Sequence, residues 1–191
     1  ILIAVDIGNS QMKLGHFALE PGDIAAAQSL PDPLATFELL IDHATGAFDE
    51  PRLAEWAAGQ PLNAAHWRIG SVHRGAAERL MAWISSPSSR PANAPAAQLL
   101  KYAQIPLSIR VDEPARVGID RLLAAHAANR LRSPDRTAIV VDLGTAITVD
   151  VVELDGAFAG GAILPGIGMA GRALAEQTDA LPHVRFDPAR P

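Results

Sequence analysis

The sequence holds no cysteine, which excludes disulfides and thiolate metal centres. That absence fits a reducing compartment, and a cytoplasmic protein is expected. Aromatic residues are scarce, at 5% of the chain. Trp56, Trp67 and Trp83 therefore read as core or interface residues rather than a base-stacking platform. Charge is also sparse, at 19%, with a net value of -5 and no run of Lys or Arg. Binding to nucleic acid relies on basic patches that displace counterions, so no nucleic-acid partner is expected. No apolar run is long enough to cross a bilayer, and the opening Ile1–Val5 meets Asp6, unlike a signal-peptide core. No membrane partner is expected. What is present is a hydrophobic fraction of 49% over 191 residues, enough to bury the core of one large domain or two small ones.

Residues 1–19 read as a hairpin. Ile1–Val5 is a short apolar run suited to a buried strand, Asp6–Ser10 is the turn, and Met12, Leu14 and Phe17 continue beyond it. The spacing of Leu34, Phe37 and Ile41, with Pro33 in the first turn, predicts a helix over 33–45. A strand is expected over 67–73, a helix over 75–84, a Ser/Pro/Ala-rich loop over 85–97 and a strand over 105–111. Pro114 precedes a helix from Ile119 to Leu131. Residues 137–154 read as strand, turn and strand, 156–166 as a third strand with a Gly/Pro turn, and 168–178 as a helix. The last residues, 185–191, read as frayed. Alternating strands and helices imply an α/β architecture. His16, His43, His66, His73, His126 and His183 show no metal-ligand spacing and read as structural.

The strongest signal is an internal repeat. Ile3-Ala-Val-Asp-Ile-Gly8 matches Ile139-Val-Val-Asp-Leu-Gly144, and each is followed by small polar residues and a second strand. Such a repeat suggests two lobes opening with the same hairpin. A glycine-containing turn exposes backbone N–H groups to phosphate oxygens, and lacks the Cβ that would block their approach. An Asp at the strand end can hold a hydrated Mg²⁺ against those phosphates. Two hairpins facing each other would hold a triphosphate from both sides. For one hairpin alone, Asp-x-Gly-Asn is simply good turn chemistry; the repeat favours the functional reading.

Four stretches in order carry a resemblance: VDIGNSQMKLG at 5–15, GIDR at 118–121, VDLGTAITVD at 141–150 and GGAILPG at 160–166, with Leu181-Pro182 after the last helix. Together they resemble type III pantothenate kinases, within the acetate kinase, sugar kinase, Hsp70 and actin superfamily. The resemblance implies a two-lobed actin-like ATPase (ribonuclease H-like) fold with duplicated mixed-sheet domains. An N-terminal lobe is expected over 1–112 and a C-terminal lobe over 113–191. Family members continue well past the Leu-Pro pair, so the second lobe is expected to be truncated. The implied activity is ATP-dependent phosphorylation of pantothenate, the first step of coenzyme A biosynthesis. The implied cofactors are ATP, Mg²⁺ and a monovalent cation, K⁺ or NH₄⁺, and the implied assembly is a homodimer.

Residue by residue, the resemblance gives ATP phosphates to Asp6, Ile7, Gly8, Asn9, Ser10, Gln11, Met12 and Lys13, with Asp6 near Mg²⁺. It gives ATP contact to Thr145 and the monovalent cation to Asp142. Gly118, Ile119, Asp120 and Arg121 would line the pantothenate site, with Asp120 accepting the hydroxyl proton. Arg121 offers a planar fork suited to the carboxylate of pantothenate. Structural alternatives remain open for each. Asp120 suits the first turn of a helix on dipole grounds alone. Arg121 suits a surface ion pair, Asp142 and Asp150 strand-end caps, Thr145 a strand, and Lys13 a solvated face. Gly160 and Gly161 suit close packing or a turn. Val111 stands where the family usually has Tyr, Ala124 where Asn is common, and Ser10 where Thr is common. Two other functions stay in view: a kinase for a different small hydroxy metabolite, and a catalytically silent regulatory relative resembling the Bvg accessory factor.

Overall fold

The computed structural model describes residues 1–17, 38–43, 46–60, 65–86 and 96–184. The chain divides into two compact units: Ile1–Gln104 with Gly118–Asp120, and Ile105–Val117 with Arg121–Pro191.

The first unit is built on a mixed sheet. Its strands are β1 (Leu2–Ile7), β2 (Gln11–Phe17), β3 (Leu39–Asp42), β4 (His66–Ser71) and β5 (Gln98–Leu99). They lie in the order β3-β2-β1-β4-β5. The short connection makes β1 and β2 antiparallel; β4 runs parallel to β1, and β5 parallel to β4. Among the described residues, two helices pack in this unit, α1 (Glu50–Ala58) and α2 (Arg74–Ser85). The opening apolar run is buried in alternation rather than throughout: Ile3, Val5 and Ile7 are buried and the residues between them half-buried. Met12 and Leu14 of β2, Trp67 and Ile69 of β4, Leu53 of α1, and Leu80 and Ile84 of α2 join them in the core. Burial of each such side chain contributes about 1.5–3 kcal/mol.

Two sequence expectations are corrected here. The helix expected over 33–45 is contradicted where it can be compared, because residues 39–42 form β3. Its remaining parts, 33–37 and 44–45, lie outside the described residues. Leu39 and Ile41 are buried at strand spacing beside β2, and this tertiary pairing overrides the helical spacing. The strand expected over 105–111 reduces to a single bridge, Ile109 beside Phe158. Its main-chain bonds run from Phe158 N–H to the Ser108 carbonyl and from Arg110 N–H to the Phe158 carbonyl, each 2.8 Å. Most of the 85–97 loop, residues 87–95, and the frayed end at 185–191 lie outside the described residues.

The second unit carries an antiparallel sheet in the order β6-β7-β8. Its strands are β6 (Ala138–Leu143), β7 (Ala146–Val152) and β8 (Phe158–Pro165). Helix α3 (Ile119–Leu131) precedes them and α4 (Ile167–Gln177) follows. Leu122 and Ala125 of α3 are buried, as are Val152, Ala157 and Phe158. The pairing of β7 with β8 shifts register between Asp150 and Val152, a bulge that bends the sheet. Among the described residues, no helix is long and apolar enough to cross a membrane.

Candidate functional site

The first hairpin pairs Asp6 directly opposite Lys13. Lys13 Nζ lies 3.8 Å from Asp6 Oδ2, with both side chains nearly half exposed. An exposed pair of this kind stabilises a fold by only about 0–1 kcal/mol, so stability alone gives little reason for its placement. Gly8 N–H donates to the Gln11 carbonyl at 2.9 Å. A Cβ added at Gly8 would meet only that carbonyl, at an ordinary 3.5 Å, and Gly8 is not in the left-handed region. Neither packing nor backbone conformation demands glycine there; what it leaves is bare main chain open to close approach. Asn9, Ser10 and Gln11 are exposed. Ile7 and Met12 are fully buried, so neither offers a side chain to a ligand.

The second hairpin repeats the strand but not the turn. Gly8, Asn9 and Ser10 join β1 to β2, whereas only Gly144 and Thr145 join β6 to β7. Asp142 accordingly faces Thr148, where Asp6 faces Lys13. Gly144 N–H donates to the Ala146 carbonyl at 3.0 Å, and Gly166 N–H to the Thr145 carbonyl at 3.1 Å. A side chain at Gly166 would collide with the Gly144 and Thr145 carbonyls, so this glycine lets the end of β8 close on the turn.

In the GIDR stretch, Ile119 is buried and Asp120 occupies the first turn of α3. A Cβ at Gly118 would lie 2.5 Å from Asp120 Oδ1. The carboxylate thus folds back over Gly118, and the missing side chain makes its position possible. Arg121 turns to Asp150. Its Nε lies 3.1 and 3.0 Å from the two carboxylate oxygens, and a second nitrogen, Nη2, also donates to Oδ1. The Asp150 side chain is 2% exposed, and the Arg121 guanidinium stands 5.8 Å from the centre of the Phe158 ring. Asp150 is therefore the buried anchor of an ion pair, not the strand-end cap considered from sequence. Gly161 faces Asp150 across the sheet, and a side chain there would strike both Asp150 and the Val149 carbonyl. Gly160 takes a left-handed φ of 86°. The glycine pair thus has a conformational reason at one position and a packing reason at the next.

His43 is a contact that spacing did not signal. Its N–H donates to the Ser10 carbonyl at 2.8 Å, and its Nε2 lies 3.0 Å from the Gly8 carbonyl. Among the described residues, no group of three or more His, Asp or Glu could hold a metal ion.

The family model for type III pantothenate kinase matches residues 2–191. The chain belongs to the type III pantothenate kinase family. It is 44% identical over 117 residues to a type III pantothenate kinase of Rhodopirellula baltica, covering 61% of this chain and 41% of that protein. It is 34% identical over 139 residues to one from a Synechococcus species, covering 71% of this chain and 54% of that protein. It is 33% identical over 196 aligned positions to one from Dehalococcoides mccartyi, covering 97% of this chain and 67% of that protein. The chain spans roughly a third to two thirds of the length of the curated relatives it matches.

Proposed function

We propose that this chain carries the ATP and acceptor sites of an ATP:pantothenate 4′-phosphotransferase, the first enzyme of coenzyme A biosynthesis. The observation that carries the reading is the repeated Asp-x-Gly hairpin, whose glycines at 8 and 144 are demanded neither by left-handed backbone nor by packing. The five-stranded mixed sheet and the hairpin-led second sheet support a two-lobed actin-like fold, with the two units as its lobes.

In this reading the main chain of Gly8–Gln11 and the Lys13 ammonium bind ATP phosphates, and Thr145 also contacts ATP. Asp6 would hold Mg²⁺ through oxygen, and the metal would neutralise phosphate charge. Asp142 would hold the monovalent cation; it faces Thr148, whereas Asp6 already faces Lys13. Phosphoryl transfer asks mainly for positioning and charge neutralisation. Asp120 orients the pantothenate hydroxyl and takes its proton as the bond to phosphorus forms. Gly118 and Ile119 shape that site from the main chain. Asp150 and Phe158 fix the plane of the Arg121 guanidinium, which orients the acceptor's carboxylate. A cytoplasmic homodimer is part of the same reading.

The test is ADP release from ATP, with and without pantothenate, at fixed Mg²⁺ and K⁺. Pantothenate-dependent release is expected. Release with another hydroxy metabolite but not pantothenate would reassign the acceptor. ATP binding without turnover of any acceptor, in the chain and in a form extended to the length of its relatives, would reject the kinase reading. Asp142→Ala should weaken activation by K⁺; unchanged K⁺ dependence would remove Asp142 from that role.

A further inference from the structure

We propose that His43 is a positioning residue for the phosphate-binding turn, a role that rests on the kinase reading of that turn. His43 follows the last residue of β3, where Gln11 pairs with Asp42. The Gln11 side-chain amide also donates to Asp42 Oδ1 at 2.9 Å. One residue on, His43 extends the ladder through its N–H to the Ser10 carbonyl, and its ring reaches the Gly8 carbonyl. A carbonyl only accepts, so Nε2 carries the proton in this contact. The residue is 4% exposed, and its Nδ1 has no hydrogen-bond partner among the described residues.

A second ring holds it in place. The His73 and His43 rings meet edge to face, with centroids 4.9 Å apart and planes at 74°. His73 is itself fixed as the N-cap of α2, its Nδ1 accepting from Ala76 N–H at 3.2 Å. Gly46, at a φ of 84°, lets the chain after β3 pass this corner; a Cβ there would lie 2.9 Å from Ala76 N and 3.0 Å from the His73 ring. The turn is thus tied, through two histidines, to the start of a core helix.

The consequence follows from peptide geometry. Every described peptide bond is trans, so a carbonyl and the N–H that follows it point in opposite directions. His43 draws the Gly8 and Ser10 carbonyls toward itself. The N–H groups of Asn9 and Gln11 therefore point away from it. Donors presented in this way by a turn suit an anion. His43 sets their direction without touching the ligand.

The experiment compares the parent chain with His43→Phe, which keeps a ring but loses the donor, and His43→Gln, whose amide nitrogen replaces Nε2–H. Amide hydrogen exchange is read first, since it needs neither ATP nor turnover. In His43→Phe, exchange at Gly8 and at residue 43, whose N–H groups are hydrogen-bonded at this corner, should quicken about tenfold, with β1 and β4 unchanged, and His43→Gln should restore most of it. Kinetically, His43→Phe should raise KM for ATP about tenfold and leave KM for pantothenate within about twofold. A folded His43→Phe with parental exchange and parental KM for ATP would overturn the proposal. Faster exchange spread evenly over the sheet would also overturn it, by making the role merely structural. If neither the parent chain nor a form extended to the length of its relatives shows turnover of any acceptor, the kinase reading fails, and exchange still decides whether His43 sets the turn.

Discussion

Asp150 is a carboxylate buried almost completely, a state that is costly unless a cation meets it. Arg121 meets it with two nitrogens, so breaking the pair from either side leaves a charge without compensation. Asp150→Asn should destabilise the chain by about 3–5 kcal/mol, read from the midpoint of urea unfolding. Asp120→Asn should behave oppositely: turnover falls by two orders of magnitude or more, about 10²–10⁴-fold, while ATP binding and stability hold. Equal loss of both would make Asp120 structural. His126 predicts a pH effect. Burial, helped by the Arg130 charge and opposed by a bond to the Pro106 carbonyl, holds its pKa below the usual 6.5. The unfolded chain therefore binds the proton more readily, and stability is full above that value and declines as pH falls through it. His126→Gln should flatten this part of the pH–stability curve. Asp6, Gly8 and Asp120 can be proposed from sequence because their motifs are local. The partner of Arg121, 29 residues away, could not, because spacing carries no information about which side chains meet across a fold.

Among the elements, those with strong local chemistry were legible. Helix α3 runs from Ile119 to Leu131 as its composition suggests, and both hairpins fall where the Asp-x-Gly turns put them. Helix α1 was missed. It is short and presents just Leu53 and Ala57 as fully buried residues, too little for a periodic signal. Its start was written nonetheless: Asp49 caps it by accepting from Arg52 N–H at 3.0 Å, and Pro51 stands in its first turn. Asp49→Ala should cost about 1 kcal/mol and Leu53→Ala about 2–5 kcal/mol, by thermal or urea unfolding. The misread β3 had the larger consequence. In a helix over 33–45, His43 would have been one more buried ring; at the end of an edge strand it faces the turn of β1 and β2.

At the scale of the whole molecule, the second unit differs from the first in what it leaves uncovered. Ile139, Val141 and Leu143 share one face of β6 and are 68%, 55% and 71% exposed. Leu143 neighbours Ile147, which neighbours Leu164, itself 46% exposed. Soluble chains rarely present such a face without using it. The chain should bind a hydrophobic dye and self-associate with rising concentration in sedimentation, and Val141→Lys should reduce both. A sedimentation pattern independent of concentration, with no dye bound, would show the face to be covered in solution.

The unequal turns carry a last consequence, one that concerns insertions and deletions rather than substitutions. In a strand, a slip of one residue turns every side chain to the opposite face. The three-residue turn sends Met12 and Leu14 into the core and leaves Lys13 opposite Asp6. Removing one of Gly8, Asn9 or Ser10 would leave three residues between Ile7 and Met12, the number that separates the paired Leu143 and Ile147, so the turn can absorb the loss with Met12 still opposite Ile7. A single-codon loss in the first turn should therefore spare the core and alter the turn alone, however alike the two copies read as strings of letters.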